Sequence, residues 1–278
     1  MISAEQKKHF EEKGYLLVPG VLSAAEIAHM RKSVLGIFNS DEWKKSPYNT
    51  ERILSDVYQT FPEFLNVTLN AKVLDVVKGL LGENPLLMPE SSVHYKFYTG
   101  WHKDTTSQER AGHTFHLSDT SLMIEAGFYL QDNDEYGGGL TVMEASHLTS
   151  DYFVNLPQAG LGERIKNKLS PIPEEENKRI NPNKHKLVNI ASKAGDLVIF
   201  NFKTNHRASR PSICAIEAIP KEKEKIAFFN AFSVNNESGY AYLNYLKSRP
   251  EPFYQNLGHR VVSNELKAKA AELAFTAL

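Results

Sequence analysis

Leu122-Met123-Ile124-Glu125-Ala126-Gly127-Phe128-Tyr129-Leu130-Gln131 alternates with a period of two. Leu122, Ile124, Ala126, Phe128 and Leu130 form an apolar face, and Met123, Glu125, Gly127, Tyr129 and Gln131 a more polar one. Successive side chains of a strand point to opposite sides of its sheet, so the pattern predicts a strand with one side in a core. The polar side of such a strand faces either solvent or a ligand cavity. Asp132 to Tyr136 then reads as a turn, and Gly137-Gly138-Gly139 leads into Leu140-Thr141-Val142-Met143. No helix start and no G-x-x-x-x-G-K-[ST] follows the glycines, so a tight bend between strands is the better reading than a phosphate loop.

The same period extends outward from this stretch. From Ser91, His94, Lys96 and Tyr98 share one strand face and Tyr95 and Phe97 the other; Val188–Ala191, Leu197–Phe202 and Ile226–Phe232 read as further strands. Lys221-Glu222-Lys223-Glu224-Lys225 reads as a charged hairpin tip. Upstream the signals are helical: a charged helix over 4–13, a short strand ended by Pro19-Gly20, and Ser23 with Glu26 as a capping box opening a second helix. Residues 53–82 read as largely helical, with Leu65, Leu69, Val73, Val76, Val77 and Leu80 as a core stripe. The tail from Ser238 is helical in parts, with a last helix near 263–276. Residues 151–186 form a long polar segment, a length that in a compact domain marks a functional loop such as a lid, or disorder. The expected fold is mainly β with flanking helices, a double-stranded β-helix (jelly roll, cupin-like). The expectation is one domain over 1–278: a helical part to about residue 90, a jelly-roll core over about 91–235 and a helical tail over 236–278.

Composition narrows the function classes. The chain of 278 residues is 41% hydrophobic and 23% charged with net charge −1, ordinary for a globular enzyme and without the basic excess of a nucleic-acid or membrane-surface binder. No apolar run is long enough to cross a membrane, and the N-terminus lacks a signal-peptide core. Cys214 is the single cysteine, so the chain holds no internal disulfide and no Cys-based zinc site; a cytoplasmic location is expected.

Two stretches about a hundred residues apart carry metal-binding chemistry. Trp101-His102-Lys103-Asp104 offers an imidazole and a carboxylate two residues apart, and Gly195-Asp196-Leu197-Val198-Ile199-Phe200 leads through a predicted strand to His206. Two imidazoles and one carboxylate on one side of an octahedral ion leave the opposite positions open, as in the facial triad of non-haem Fe(II) oxygenases. His102, Asp104 and His206 are therefore the candidate metal ligands and catalytic centre. His113 and His116, close behind the triad in sequence, are candidates for touching substrate, as are Lys96, Tyr98, Glu125 and Tyr129 on polar strand faces.

Three stretches together resemble the phytanoyl-CoA dioxygenase family. Trp101-His102-Lys103-Asp104 is similar to its W-H-x-D. Gly138-Gly139-Leu140-Thr141-Val142-Met143-Glu144-Ala145-Ser146-His147 is similar to its G-G-L-x-V-x-x-G-S-H, with Ala145 where glycine is usual. Gly195-Asp196-Leu197-Val198-Ile199-Phe200 with His206 is similar to its G-D-x-x-x-F…H. The resemblance implies an Fe(II)- and 2-oxoglutarate-dependent dioxygenase that consumes O2, with His102, Asp104 and His206 on the iron, His147 structural, and ascorbate serving as reductant in vitro. It also implies an arginine about ten residues past the distal histidine to hold the far carboxylate of 2-oxoglutarate, and here the chain departs: no arginine lies between Arg210 and Arg249. Lys225, at the head of the following strand, Arg210 and Lys96 are the candidate anchors, in that order. The expected reaction is hydroxylation of a C–H bond of a small, polar metabolite. Two alternatives remain at this point: a cupin-like metalloenzyme using the same ligands without 2-oxoglutarate, and a non-catalytic binding protein.

Overall fold

The computed structural model describes residues 2–46, 48–156, 160–162, 174–212, 216–251, 254–255, 258–259 and 262–278. Among the described residues ten strands form two sheets: β1 (Tyr15–Val18), β2 (Ile53–Ser55), β3 (Leu86–Tyr95), β4 (Met123–Tyr129), β5 (Leu140–Met143), β6 (Leu187–Asn189), β7 (Leu197–Asn201), β8 (His206–Ala208), β9 (Ile226–Ser233) and β10 (Thr276–Ala277). The larger sheet runs β1-β7-β4-β9-β3-β10, with β2 pairing on β3; the smaller runs β6-β5-β8. Helices precede and follow this β region, the longest being Ala24–Asn39, Glu237–Ser248, Ala71–Leu81 and Ala4–Lys13.

The expectation of a mainly β, closed jelly roll is corrected. Helix outweighs strand, and the two sheets do not close into a barrel, so the fold is mixed α/β. The physical reason lies in the smaller sheet. Its strands span only three or four residues. The turn before β5 and the 3-10 turn at Ser146–Leu148 after it end the ladder early. Among the described residues the link between the HxD stretch and β8 is a single antiparallel bridge, His102 with His206.

The alternation around Leu122 sorts as expected. Ile124, Ala126, Phe128 and Leu130 enter the main core, where the larger sheet packs against helices through Met30, Val34, Ile37, Val73, Val77 and Leu80. Each such side chain removed from water stabilises the fold by roughly 1.5–3 kcal/mol. On the opposite face Tyr129, Val198, Phe200 and Ala227 meet Leu140 and Val142 of the smaller sheet. Met123, Phe202 and Ala231 meet Tyr242, Tyr245 and Leu246 of the Glu237–Ser248 helix. The polar side of β4 therefore faces a space between the sheets, not bulk solvent.

Local signals behave as their chemistry dictates. Ser23 and Glu26 form the reciprocal capping box, and so do Ser3 and Gln6. Residues 53–82 break into a strand and three helices. β3 begins at Leu86, five residues before the predicted start, and its pairing with β9 shifts between Leu87 and Ser91. Pro89 lies inside that shift and cannot donate to the ladder, which is where a bulge relieves the strand. Gly137 has φ +66, and a Cβ there would meet the Ser209 carbonyl oxygen at 2.6 Å, so the glycine bend is required twice over. Part of the long segment over 151–186 (157–159 and 163–173) lies outside the described residues; of the rest, Tyr152–Asn155 forms a 3-10 turn and Glu174–Ile180 a helix.

Ala145 occupies the left-handed region with φ +61, at the position where the resembled motif carries glycine. A Cβ there costs about 1–2 kcal/mol, partly offset by the lower chain entropy of alanine when unfolded. Ala145→Gly is expected to stabilise the protein by about 0.5–1 kcal/mol, read as a raised denaturant midpoint at unchanged slope.

Candidate active site

His102, Asp104 and His206 converge although a hundred residues separate the first from the last. Each offers one ligand atom, and these atoms lie within 4.8 Å of one another. The convergence is built from backbone: His102 N–H donates to the His206 carbonyl at 3.0 Å and His206 N–H to the His102 carbonyl at 2.9 Å. Asp104 N–H donates to the Phe202 carbonyl at 3.1 Å, which holds the third member against the same stretch.

Both rings are oriented from behind. His102 Nδ1 donates to the Gly100 carbonyl at 2.7 Å and His206 Nδ1 to the Thr204 carbonyl at 2.9 Å. That fixes the tautomer and leaves each Nε2 with its lone pair facing inward. The Nε2 atoms stand 3.7 Å and 3.9 Å from Asp104 Oδ1. Two metal bonds of roughly 2.1 Å reach up to about 4.2 Å between donor atoms, so one ion can span them. Asp104 Oδ2 is buried without a hydrogen-bond partner among the described residues, and burial lifts the carboxyl to about 6. Burial and neighbouring His102 push His206 well below its ordinary value, which keeps it neutral. A neutral His206 imidazole and an under-satisfied carboxylate suit binding of a divalent cation.

The triad opens on a cavity of about 580 Å³ between the sheets. Lys225 lines it, 2% exposed, donating from Nζ to the Phe97 carbonyl at 2.7 Å and lying 5.2 Å from the centre of the Tyr98 ring. Burial lowers its ammonium to about 7. The charged run 221–225 is therefore only partly a solvated tip: Lys223 pairs with Asp134 at 2.7 Å, and Lys225 turns inward. Gly138 makes room for the Lys225 stem, whose Cβ and Cγ would lie 3.1 Å and 3.2 Å from a Cβ at that position. Lys96 does not join them. The strand ends at Tyr95, Lys96 takes φ +49, and its Nζ pairs with Glu224 at 2.6 Å. Neither Lys96 nor Arg210 is among the cavity's lining residues.

The other candidates divide in the same way. Glu125 and Tyr129 line the cavity and Tyr98 does not. His116 is buried and paired with Glu109 at 3.0 Å, and His113 packs against Tyr245; neither lines the cavity. His147 Nε2 bonds the Glu11 carbonyl at 2.9 Å, a structural role. Several lining residues had no sequence signal. Glu90 sits in the Pro89 bulge, and Tyr242, Tyr245, Arg249 and Tyr254 come from the helical tail. His94, held neutral by burial with a value near 3, and Gln108 also line it.

The match of residues 10–211 to the phytanoyl-CoA dioxygenase (PhyH) family model covers most of the chain, and the chain belongs to that family. It is an Fe(II)- and 2-oxoglutarate-dependent dioxygenase. Ectoine dioxygenase of Sphingopyxis alaskensis is 25% identical over 223 residues, 74% of this chain and 70% of that protein. The crystal structure of EctD from S. alaskensis with 2-oxoglutarate and 5-hydroxyectoine superposes with a TM-score of 0.59 at 19% identity, covering 84% of this chain and 76% of that one. HygX from Streptomyces hygroscopicus, with nickel and 2-oxoglutarate bound, gives 0.56 at 16% identity over 84% and 88% of the two chains. No described helix is long and apolar enough to cross a membrane.

Metal affinity should follow the Asp104 proton. A carboxyl at about 6 in the empty site is ionised above that pH and must lose a proton to bind below it. The affinity for Fe(II), titrated anaerobically, is expected to be flat above pH 7 and to fall about tenfold per unit as pH drops below 6.

Proposed function

We propose that His102, Asp104 and His206 hold the iron, that Lys225 anchors 2-oxoglutarate, and that the enzyme hydroxylates a C–H bond of a small, polar metabolite in the cavity. The observation that carries this reading is the convergence of two inward Nε2 atoms and one under-satisfied carboxylate at the wall of a cavity that also holds a buried, inward lysine. Iron bound there supplies O2 activation coupled to oxidation of the co-substrate. The balance is one oxygen atom into the new C–OH and one into succinate, with CO2 released. The chain's own groups orient and exclude: Gly100 and Thr204 fix the imidazoles, and Phe200, Phe202 and Phe229 keep the walls dry.

Lys225 suits a carboxylate because a buried ammonium is costly unless an anion faces it. Its present hydrogen bond to a backbone carbonyl is a neutral partner and leaves donors for a second acceptor. The cavity draws walls from β3, both sheets and the tail, and β10 at 276–277 pairs with β3 at 86–87, which supports one working domain over the whole chain. We also place it in the cytoplasm, in keeping with its single cysteine.

Purified protein is expected to bind about one equivalent of Fe(II) by calorimetry, with alanine at any of the three ligands removing most of the binding. Supplied with Fe(II), ascorbate and O2, it should convert 2-oxoglutarate to succinate slowly even without substrate, as read by mass spectrometry. Lys225→Met should raise the KM for 2-oxoglutarate about tenfold to a hundredfold, the loss of one charge-assisted contact, at nearly unchanged Fe(II) affinity. Lys96→Met and Arg210→Met should leave that KM within about twofold. A large rise in either of these with none in Lys225→Met reassigns the anchor.

A further inference from the structure

The cavity carries more carboxyl groups than the metal centre uses. Glu90 and Glu125 both line it. They stand on β3 and β4, the strands on either side of β9, with Glu125 directly paired to Ala231, whose small side chain leaves the space between them open. Glu90 accepts a hydrogen bond from the Tyr242 hydroxyl. Glu125 takes no hydrogen bond and no ion pair from any described residue, although the protein surrounds it on all sides but the cavity. Burial and the nearby Asp104 and Glu90 raise its carboxyl well above the usual range, and burial takes Glu90 up to about 7.

The cations in the same walls are committed elsewhere. Arg249 makes a two-pronged pair with Glu251 at 2.9 and 2.8 Å and stacks on Tyr254. Lys103 donates to the Ser146 and Thr149 carbonyls, Arg110 to the Phe153 carbonyl, and Lys225 to Phe97. Two further lining groups lack partners among the described residues: both amide atoms of Gln108, a side chain 1% exposed, and the hydroxyl of Tyr129, 0% exposed. Buried polar groups in native proteins are nearly always satisfied, so these point to a polar occupant. Tyr242, Tyr245, Tyr254 and Phe229 supply aromatic walls of the kind that attract a cation.

We propose that the substrate carries a positively charged nitrogen group, an alkylammonium or guanidinium, held between the Glu125 and Glu90 carboxylates with Gln108 and Tyr129 completing its hydrogen bonds. This rests on the oxygenase reading above and names the substrate class for it. A cation entering the cavity favours ionisation of both carboxyls and gives Glu125 the ion pair that no described residue supplies, beside Glu90, on which the Arg249 charge already acts. A neutral substrate leaves the buried carboxyls in their protonated form and gains no charge pairing from them, and an anionic one is repelled wherever they ionise.

The test is calorimetric binding of four small probes to the anaerobic Fe(II)–2-oxoglutarate protein: n-butylamine, n-butylguanidine, 1-pentanol and pentanoate. The two cations are expected to bind at least tenfold tighter than the alcohol and the carboxylate. Glu125→Gln should weaken the cations about tenfold to a hundredfold and leave the alcohol unchanged, with Glu90→Gln acting in the same direction. Equal or tighter binding of pentanol or pentanoate, no cation binding at all, or unaltered cation affinity in both folded variants overturns the proposal. The wild-type ranking decides even if a variant does not fold. Succinate release by the wild type, measured separately, reports on the oxygenase reading, so the two can fail independently.

Discussion

The reciprocal backbone pair between His102 and His206 is the constraint on which the site depends. Each histidine donates its amide hydrogen to the other's carbonyl, so the two stretches are locked in register by bonds that do not involve their side chains. The rings are then free for other work, and each is turned by its own local carbonyl. Asp104 follows two residues later and is tied to Phe202. A one-residue slip of either stretch would send its histidine to the opposite face. The positions of the three candidate ligands therefore reduce to the registry of two short segments, which explains how so small a sheet as β6-β5-β8 can serve as one wall of the site.

Burial then sets the electrostatics. Asp104, Glu90 and Glu125 share a space walled by aromatic and aliphatic side chains, and burial comes first in raising each of them. Lys225 is displaced in the opposite sense for the same reason. Burial thus disfavours the charged form of each group, acid and base alike. Binding charged partners restores their charges, so affinity and protonation are coupled throughout the site. Such coupling makes the cavity selective by charge as well as by shape, since an uncharged molecule of equal size recovers none of the desolvation.

How much of this was legible depended on whether a signal was local. The alternation over Leu122–Gln131, the capping box at Ser23 and the metal-ligand stretches are short-range patterns, and each is found where its chemistry places it. Glu125 was legible as a cavity-face residue because period two assigns faces before any contact is known. Glu90 was not, because Pro89 and the register shift hide the start of β3 from a period count. Tyr242 and Tyr245 were not, because a helical tail shows which face is apolar but not which wall it covers. The closed jelly roll was inferred from strand count and turn spacing. Closure is a property of hydrogen bonding between strand edges, which three- and four-residue strands do not extend far enough to make.

The lysine at position 225 takes its direction from its surroundings. A guanidinium is planar and forked and binds a carboxylate in two places, whereas an ammonium is a compact point charge with three rotatable donors. Here one of those donors is already fixed on the Phe97 carbonyl, and the Tyr98 ring lies close by. Those two contacts supply direction that lysine lacks by itself. The stem needs a straight path to reach the cavity, and Gly138 leaves it open, since any side chain there would press on the Lys225 Cβ and Cγ. Gly138 in turn requires the bend whose preceding residue, Gly137, abuts the Ser209 carbonyl just beyond β8. The glycine run read as a bend between strands thus also leaves room for the Lys225 stem, so that the local turn and the path of the buried lysine are set by Gly137 and Gly138 together.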